Sequence, residues 1–386
     1  MRLAARMDRI GTETAFEAAA RARALEATGR SIIHLEIGEP DFDTPSNIRQ
    51  AAKQALDRGA THYTPTVGIP ELRAAIAADA TARKCFTVSP DRVIVVPGAK
   101  PVMFFSMLAL IQEGDEVIYP DPGFPIYESM VDYVGGTAVP CPIRQENAFR
   151  LDPRELASLV TKRTRLIIIN SPANPTGGVS TRDDLEQIAA VAREHDLLVL
   201  ADEIYGRILY EGEFVSIASL PGMAERTITC FTFSKTYAMT GLRAGYNVAK
   251  EPFMEAFRKV VLYSTNGIVT PVQYGMIAGL RMPESELIAL REAYRMRRDL
   301  LVAGLNEVGL TCAPPAGAFY AFPNVEKIHK SSLEASRILL EEAHISTIPG
   351  IFSGPEGEGH LRFCYATEPE KIEACVEALR AFFAKR

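Results

Sequence analysis

The chain contains no tryptophan and few cysteines or histidines, six of each in 386 residues. The cysteines, which lie far apart and form no CxxC pair, are Cys85, Cys141, Cys230, Cys312, Cys364 and Cys375. This distribution is typical of reduced core residues, so it favours a cytoplasmic protein without a disulfide framework. The histidines have no metal-ligand spacing even where they lie closest together, at His329, His344 and His360. We therefore expect no metal site.

Long apolar runs and a strong charge of one sign are also absent. No run of 18 apolar residues occurs, and the arginines near the start are not followed by an apolar stretch of signal-peptide length, so we expect neither export nor a membrane span. The 42 Lys and Arg against 48 Asp and Glu leave a net charge of −6. Such a balance gives no general attraction for nucleic acid or anionic lipid, which makes both poor candidates as partners.

Several catalytic signatures are missing as well. The chain has no GxSxG elbow, no HExxH pair, no P-loop and no dinucleotide fingerprint after its first strand, so these motifs offer no route to its function. What is present is ordinary for a globular protein, with 47% apolar and 23% charged residues. At about 150 residues per domain, the length predicts two or three domains.

Short apolar runs alternate with helical patterns from about residue 93 to residue 246. The predicted strands are 93–96, 116–119, 166–170, 197–201, 227–233 and 243–248. This alternation is typical of an α/β protein in which a largely parallel sheet has helices on both faces. Ligands of such sheets bind beyond the carboxyl ends of the strands. The residues that follow each apolar run are therefore the candidates for a site.

The pattern changes after about residue 276. The segments predicted there are a charged helix over 284–308, strands near 319–322 and 361–365, and a last helix over 369–384. We interpret them as a smaller α+β domain. The expected division is a large domain at 45–275 and a small domain made of 1–44 and 276–386. The sequence GPEGEG at 354–359 is interpreted as a mobile surface loop.

Unusual polar residues follow four of the apolar runs. They are Pro97-Gly98-Ala99-Lys100, the segment SPANPTG at 171–177, Asp202-Glu203-Ile204-Tyr205, and Ser234-Lys235-Thr236-Tyr237 with Gly241-Leu242-Arg243 beyond it. Each has a plain structural explanation when taken alone: Gly98 suits a turn, Asp202 could cap a helix, and Lys235 could be a solvated strand end. In combination they place an acid, an amide, an amine and a guanidinium along one predicted sheet edge.

This combination resembles the class I and II aminotransferases, which are fold type I enzymes that depend on pyridoxal 5′-phosphate (PLP). The resemblance runs from IGEPDFDTP at 37–45 through HYTPTVGIPELRAAI at 62–76 to HLRFCYA at 360–366, and it is most specific in SPANPTG, ADEIY and SKTYAMTGLRAGY. It implies a large domain with a mostly parallel seven-stranded sheet beside a smaller α+β domain. It also implies a ping-pong transfer of an amino group from an L-amino acid to a 2-oxo acid through pyridoxamine phosphate.

The resemblance assigns the reacting end of the cofactor to five residues. Lys235 is the amine that forms an imine with the cofactor and moves a proton to and from the substrate. Asp202 keeps the pyridine nitrogen protonated, because a nearby carboxylate favours the charged form. Asn174 and Tyr205 donate to the phenolic oxygen, and the ring of Phe124 covers the open face of the cofactor.

The cofactor phosphate needs amide donors, hydroxyls and fixed positive charge. By resemblance these come from the helix start at Gly98, Ala99 and Lys100 and from Thr232, Ser234 and Arg243. Tyr63 matches a family tyrosine that reaches the phosphate from the neighbouring subunit. The resemblance therefore implies a homodimer with shared active sites.

Substrate binding is assigned to fewer residues. Arg362 matches the arginine that holds the substrate α-carboxylate in a bidentate pair, with Asn174 and the Gly38 backbone nearby. Lys100 lies where some relatives bind a distal carboxylate, so an acidic co-substrate such as glutamate, 2-oxoglutarate or aspartate is expected. The residues that could equally line a pocket for aromatic or aliphatic side chains are Phe16, Ile37, Tyr63 and Phe124.

Two other functions stay open on the sequence. A PLP-dependent β-lyase would use the same scaffold, because the same carbanion can expel a β-substituent. A non-catalytic sensor that binds PLP would need only the cofactor residues. The presence of Lys235, Asp202 and Arg243 together favours the aminotransferase over the sensor.

Overall fold

The computed structural model describes residues 3–10, 14–84 and 86–386, without the side chains of residues 14–17 and 84. Its α-helices are α1 Thr14–Glu26, α2 Ser46–Asp57, α3 Pro70–Lys84, α4 Ala99–Leu110, α5 Ile126–Val134, α6 Pro153–Leu159, α7 Arg182–Glu194, α8 Phe233–Thr236, α9 Phe253–Ser264, α10 Thr270–Leu280, α11 Glu284–Glu307, α12 Ser332–Ile338 and α13 Pro369–Ala384. Its strands are β1 Ile33–His34, β2 Val93–Val96, β3 Glu116–Asp121, β4 Thr137–Pro142, β5 Thr164–Asn170, β6 Leu198–Asp202, β7 Thr227–Thr232, β8 Gly245–Val248, β9 Tyr320–Ala321, β10 Ile345–Ser346, β11 Ile348–Pro349 and β12 Leu361–Cys364.

A seven-stranded sheet organises the larger part of the chain, in the order β2-β8-β7-β6-β5-β3-β4. The pairs from β7 to β4 are parallel, whereas β8 runs antiparallel to both of its neighbours, β7 and β2. Two antiparallel pairings in succession restore the direction, so β2 points the same way as β7. The predicted α/β class with a mostly parallel sheet is thus confirmed.

Helices cover both faces of this sheet. Alternate residues of a strand point to opposite faces, so they pack against different helices. Ile94 and Val96 of β2 pack with α4 and α9, while Val93 and Val95 pack with α3 and α10. The central strands β3, β6, β7 and β8 are buried along their whole length. This two-sided burial explains why β6 and the middle of β3 appear in the sequence as continuous apolar runs.

The structure corrects the predicted strands in two respects. Strand β4 was not predicted, because it is a partly exposed edge strand interrupted by Pro140 and Pro142, and proline in a sheet is confined to such edges. The strand predicted at 243–248 begins instead at Gly245, since Arg243 has a φ of 50°, which no strand residue adopts.

Two small sheets lie outside the seven-stranded sheet. Strands β11, β12 and β9 form an antiparallel sheet, and β1 pairs in parallel with β10. The long helix α11 holds the segment that follows β1, because Arg297 donates to both carboxylate oxygens of Asp41 at 2.7 and 2.9 Å. The predicted surface loop at 354–359 is partly packed, with Gly357 and Gly359 buried and the Glu356 amide bonded to Asp121.

Five of the six cysteines lie in the described part of the chain, where all five are buried and none forms a disulfide; Cys85 lies outside it. This agrees with the interpretation of the cysteines as reduced core residues. Of the helices described, none combines the length and apolar character needed to cross a membrane.

Candidate active site

The carboxyl ends of five strands meet at one edge of the large sheet. Strands β3, β5, β6 and β7 end at Asp121, Asn170, Asp202 and Thr232, and β2 ends three residues before α4 begins. The start of antiparallel β8 reaches the same edge, because Gly245 pairs with both Thr232 and Val96. The sheet thereby gathers residues that lie far apart in the sequence, as expected for a ligand site in this class of fold.

Lys235 follows β7, on the short helix α8. Thr232 caps this helix by accepting from the Ser234 amide, which fixes the chain direction just before the lysine. The ammonium nitrogen donates to the carbonyl oxygen of Gly38 at 2.6 Å and lies 5.8 Å from the ring centre of Phe319. Burial lowers the pKa of Lys235 to about 8. A neutral, nucleophilic amine is therefore accessible near neutral pH.

Asp202 ends β6 with its side chain almost completely buried. Its Oδ2 accepts from the phenol of Tyr127 at 2.6 Å, and its Oδ1 accepts from the Ile204 amide at 3.4 Å. Burial raises the pKa of Asp202 to about 6, and these two hydrogen bonds oppose the rise. Among the described residues, none with a positive charge forms an ion pair with this carboxylate. Its charge would be stabilised by a cationic ligand group.

Arg362 enters the site from β12, in the smaller sheet. Its guanidinium donates to Asn174 Oδ1 at 3.0 Å and to the carbonyl oxygen of Glu36 at 2.6 Å, and it lies 4.7 Å from the ring centre of Tyr320. The side chain is buried, yet its Nε has no hydrogen-bond partner among the described residues. A buried guanidinium that still has an N–H group without an acceptor is suited to binding a carboxylate ligand.

Tyr205 and Tyr320 form a pair of buried phenols between these groups. Their oxygens lie 2.8 Å apart, and burial together with the neighbouring phenol raises the pKa of Tyr205, which keeps it protonated. Position 38 requires glycine, because a Cβ there would lie 2.1 Å from the phenol oxygen of Tyr320.

The opposite end of the site carries hydroxyls and a second guanidinium. The Thr232 hydroxyl lies 2.9 Å from Ser234 Oγ, close to the start of α4. Gly98 caps α4 with a φ of 89°, and a Cβ at this position would lie 2.4 Å from Arg243 Nη2. Glycine thus lets the guanidinium approach the helix N-terminus, where amide donors and positive charge together suit a phosphate.

A single cavity of about 470 Å³ joins these groups. Its lining includes most of the sequence-predicted residues, namely Ile37, Gly38, Ala99, Lys100, Phe124, Asn174, Asp202, Tyr205, Thr232, Ser234, Lys235, Arg243 and Arg362. This size is typical of small-molecule sites. Within the described part of the chain, no group of His, Cys, Asp and Glu could hold a metal ion.

Comparison with known proteins decides the family. Residues 30–379 match the model for "Aminotransferase class I and II". The chain is 43% identical over 354 residues to the aspartate aminotransferase of Pyrococcus abyssi, covering 91% of each chain, and 42% identical over 352 residues to the aromatic-amino-acid aminotransferase 2 of Thermococcus litoralis, covering 90% of each. The chain belongs to the class I and II aminotransferases. It is therefore a PLP-dependent enzyme that transfers amino groups, which sets aside the lyase and sensor alternatives.

The solved structures agree. The structure of Thermus thermophilus aspartate aminotransferase with maleate matches this aminotransferase with a TM-score of 0.94 at 36% identity, covering 98% of this chain and 99% of that one. The structure of the aromatic aminotransferase of Pyrococcus horikoshii matches with a TM-score of 0.90 at 41% identity, covering 94% and 99%.

The residues of the cavity fit PLP. Asp202 is a buried carboxylate that would pair with the cofactor's pyridine nitrogen, and Lys235 is the amine suited to covalent attachment. The close approach of the Arg243 guanidinium to Gly98, which a Cβ would block, brings positive charge to the N-terminus of α4, where the phosphate would bind. When bound, the cofactor supplies an electron sink for the carbanion at the substrate α-carbon.

One predicted site residue lies away from the cavity of the single chain. Tyr63 is 91% exposed and borders a separate surface groove with Leu56 and Val269. Phe16, proposed as a pocket residue, has a side chain outside the described part of the structure.

Three further aromatic residues of the site in this aminotransferase, Tyr127, Tyr320 and Phe352, were not predicted from the sequence. Tyr127 lies three residues after Phe124, at the start of α5, so its closeness to a predicted site residue offered a usable signal. Tyr320 and Phe352 reach the cavity from the smaller part of the chain. Nothing local distinguishes them from core aromatic residues.

Proposed function

We propose that this aminotransferase exchanges the amino group between dicarboxylic L-amino acids and 2-oxo acids in two half-reactions at one site. Four cationic side chains line the cavity, and two of them, Lys235 and Arg243, are assigned to the cofactor. The observation that carries the proposal is the other two, the buried guanidinium of Arg362 and the exposed ammonium of Lys100. Such a pair suits a substrate with two carboxylates. In support, close relatives are named aspartate aminotransferases, and the Thermus thermophilus relative was solved with the dicarboxylate maleate.

In this proposal Arg362 holds the α-carboxylate. Its planar guanidinium is oriented by Asn174 and by the Glu36 carbonyl, and the ring of Tyr320 covers one face of it. These contacts fix the direction of the remaining donor. A carboxylate bound there exchanges its water shell for charge-assisted hydrogen bonds at a site that needs no further ordering.

Lys235 acts as the general acid and base. Its pKa near 8 allows the amine to accept a proton from the substrate α-carbon and to return it at the pH of the cell. The Gly38 carbonyl accepts a hydrogen bond from the amine at 2.6 Å and so fixes its position in the cavity. Positioning by this contact shortens the path of the proton.

The cofactor would be held by Asp202, Asn174 and Tyr205, together with the residues assigned to its phosphate. The Asp202 carboxylate, fixed by Tyr127, would stabilise positive charge on the pyridine ring, and the protonated Tyr205 would donate to the phenolic oxygen. Phe124, whose ring lies 5.8 Å from the Lys100 ammonium, would cover the ring face. Each group acts by orientation or electrostatics.

Lys100→Ala tests the choice of substrate. We expect kcat/KM to fall about tenfold for aspartate and glutamate, because one charge-assisted contact is lost, while alanine and phenylalanine react as before. The donors are assayed one at a time with the same 2-oxo acid acceptor, and the 2-oxo acid that each donor yields is measured. Lys100→Arg, which keeps the charge, should retain the preference. An equal loss on every donor would contradict the proposal and would assign the Lys100 side chain to the cofactor phosphate.

We also propose a homodimer in which Tyr63 completes the partner's site. Large apolar side chains are exposed around the groove that Tyr63 borders, with Val269 at 64% and Leu56 at 53%, and Tyr263 is 89% exposed on α9. Apolar exposure on this scale is typical of an interaction surface.

Sedimentation of the holoenzyme should therefore give a species of two 42.3 kDa chains. Tyr63→Phe, which removes one hydroxyl, should weaken cofactor binding about tenfold without changing the sedimentation. A fully active monomer would refute the homodimer.

A further inference from the structure

A histidine outside the cavity joins two carboxylates from different elements. His34, on β1, places Nδ1 2.7 Å from Glu36 Oε1 and Nε2 3.0 Å from Glu26 Oε1. Glu26 is the last residue of α1, whereas Glu36 belongs to the segment that leads into the active site. His34 therefore connects the end of α1 with that segment.

With a carboxylate oxygen at each ring nitrogen, the geometry favours a protonated ring. Both ring nitrogens face carboxylate oxygens, and only the imidazolium form donates from both, because a neutral imidazole has one donor and one acceptor. Glu36 is 1% exposed, and His34 is the one cation in the described part of the chain that bonds to it. Loss of the proton would leave a buried carboxylate without its counter-charge, which is unfavourable.

The backbone from Glu36 to Gly38 accepts hydrogen bonds from two side chains of the proposed active site. The Glu36 carbonyl accepts from Arg362 Nη2 at 2.6 Å, and the Gly38 carbonyl accepts from Lys235 at 2.6 Å. Helix α1 also approaches the cavity, because Ala18 lines a smaller hollow whose wall includes Phe352, which lines the main cavity. A change in the direction of Glu36 would thus reach the guanidinium directly.

We propose that protonated His34 is a positioning residue that holds the Glu36 backbone in place and thereby orients Arg362 for the substrate α-carboxylate. The inference rests on the carboxylate role proposed for Arg362. It adds a pH dependence to substrate affinity that arises outside the cavity: binding is tight while His34 is charged and weakens when the proton is lost.

The surroundings of His34 support this direction. Burial lowers its pKa, but the hydrogen bonds that His34 donates to Glu36 and Glu26, together with the charges of these carboxylates, outweigh that effect, so the pKa is raised above the ordinary 6.5. The neighbouring strand β10 places uncharged Ser346 opposite it, and Leu35 packs with α13 in the apolar core. The stabilisation is therefore complete below pH 6.5 and is lost as the pH rises through the raised value.

Three variants of the holoenzyme test the proposal: His34→Arg, His34→Gln and Glu26→Gln. KM for glutamate and kcat are measured from pH 6 to pH 9.5. His34→Arg keeps a permanent cation at this position. The quantity of interest is the wild-type KM divided by the KM of His34→Arg, because the ionisations of the substrate and of Lys235 affect both enzymes equally and cancel in this ratio. We expect this ratio to rise about fivefold with pH, the low end of typical coupling between sites.

His34→Gln should show the high KM at every pH, with kcat changed less than about twofold, because the reacting groups are intact. Glu26→Gln should move the rise to lower pH, because it removes one of the charges that raise the pKa of His34. It also provides an independent result where His34→Gln folds poorly. A ratio that stays constant with pH would overturn the proposal.

A double variant separates this inference from the proposed function. Where Arg362 has been replaced by leucine, His34→Gln should cause no further rise in KM, since the effect passes through Arg362. An undiminished effect in that background would overturn the positioning role while leaving the function of Arg362 intact. If Arg362→Leu alone left KM unchanged, the proposed function itself would fail.

Discussion

Lys235→Ala is expected to lower kcat about 10⁴-fold or more, because it removes both the attachment point of the cofactor and the group that moves the proton. The wild-type enzyme treated with borohydride should gain the mass of the cofactor on the peptide that contains Lys235. The variant should gain none, although its phosphate-binding residues are intact and cofactor still binds without a covalent bond. Intact-mass and peptide-mass measurements read out both results.

Two further variants test whether the loss of kcat comes from the missing reactive amine of Lys235. Lys235→Arg keeps a donor for the Gly38 carbonyl but stays charged at any accessible pH, so it should be as inactive as the alanine variant. Lys259→Ala removes an exposed lysine that pairs only with Glu255 among the described residues, and it should retain full activity. Cofactor mass on another lysine of the wild type would disprove the assignment.

Arg362→Leu is expected to weaken the enzyme's hold on every substrate that carries an α-carboxylate. Removing one partner of a buried, hydrogen-bonded charge pair costs about 2 to 5 kcal/mol, which is about 30- to 5000-fold in kcat/KM. The loss should lie mainly in KM. Steady-state kinetics with one dicarboxylic and one neutral donor should show the same factor for both, because the contact is to the carboxylate they share.

Cofactor affinity supplies the contrast for Arg362. The guanidinium lies among Asn174, Glu36 and Tyr320, whereas the proposed phosphate site surrounds Gly98 and Arg243. The variant should therefore bind cofactor nearly as well as the wild type. Arg362→Lys keeps the charge without the planar fork and should be intermediate. Equal damage to cofactor and substrate binding would count against the role.

Local pattern was sufficient for the buried strands of the large sheet but not for its edge strand β4. The continuous apolar runs predicted β2, β5 and β6 to within two residues at each end, because strands buried on both faces need no alternation. The polar residues after those runs were expected to meet, because parallel strands end at a common edge, and Asp202, Lys235 and Asn174 do line one cavity. The two-domain division, the homodimer and the cytoplasmic location stay predictions.

Contacts between distant segments could not be predicted in this way. Tyr127 bonds to Asp202 over 75 residues, Tyr205 to Tyr320 over 115, and Lys235 to Gly38 over 197. Each depends on the relative placement of elements that have separate local patterns. His34 and Glu36 illustrate the same limit. Nothing in their spacing reveals that Glu26 contacts the second ring nitrogen of His34, or that the Glu36 carbonyl accepts a hydrogen bond from Arg362.

Local patterns in the sequence were enough to predict the class of fold, the residues that follow the strands and, through a highly specific set of motifs, the family and its cofactor. Those features depend on burial and on residue types within a few positions of each other, which are local properties of the chain. The tertiary structure alone decided the pKa of Lys235 and Asp202, the orientation of Arg362 and the link through His34. These depend on desolvation and on hydrogen bonds that form only after remote segments have packed together.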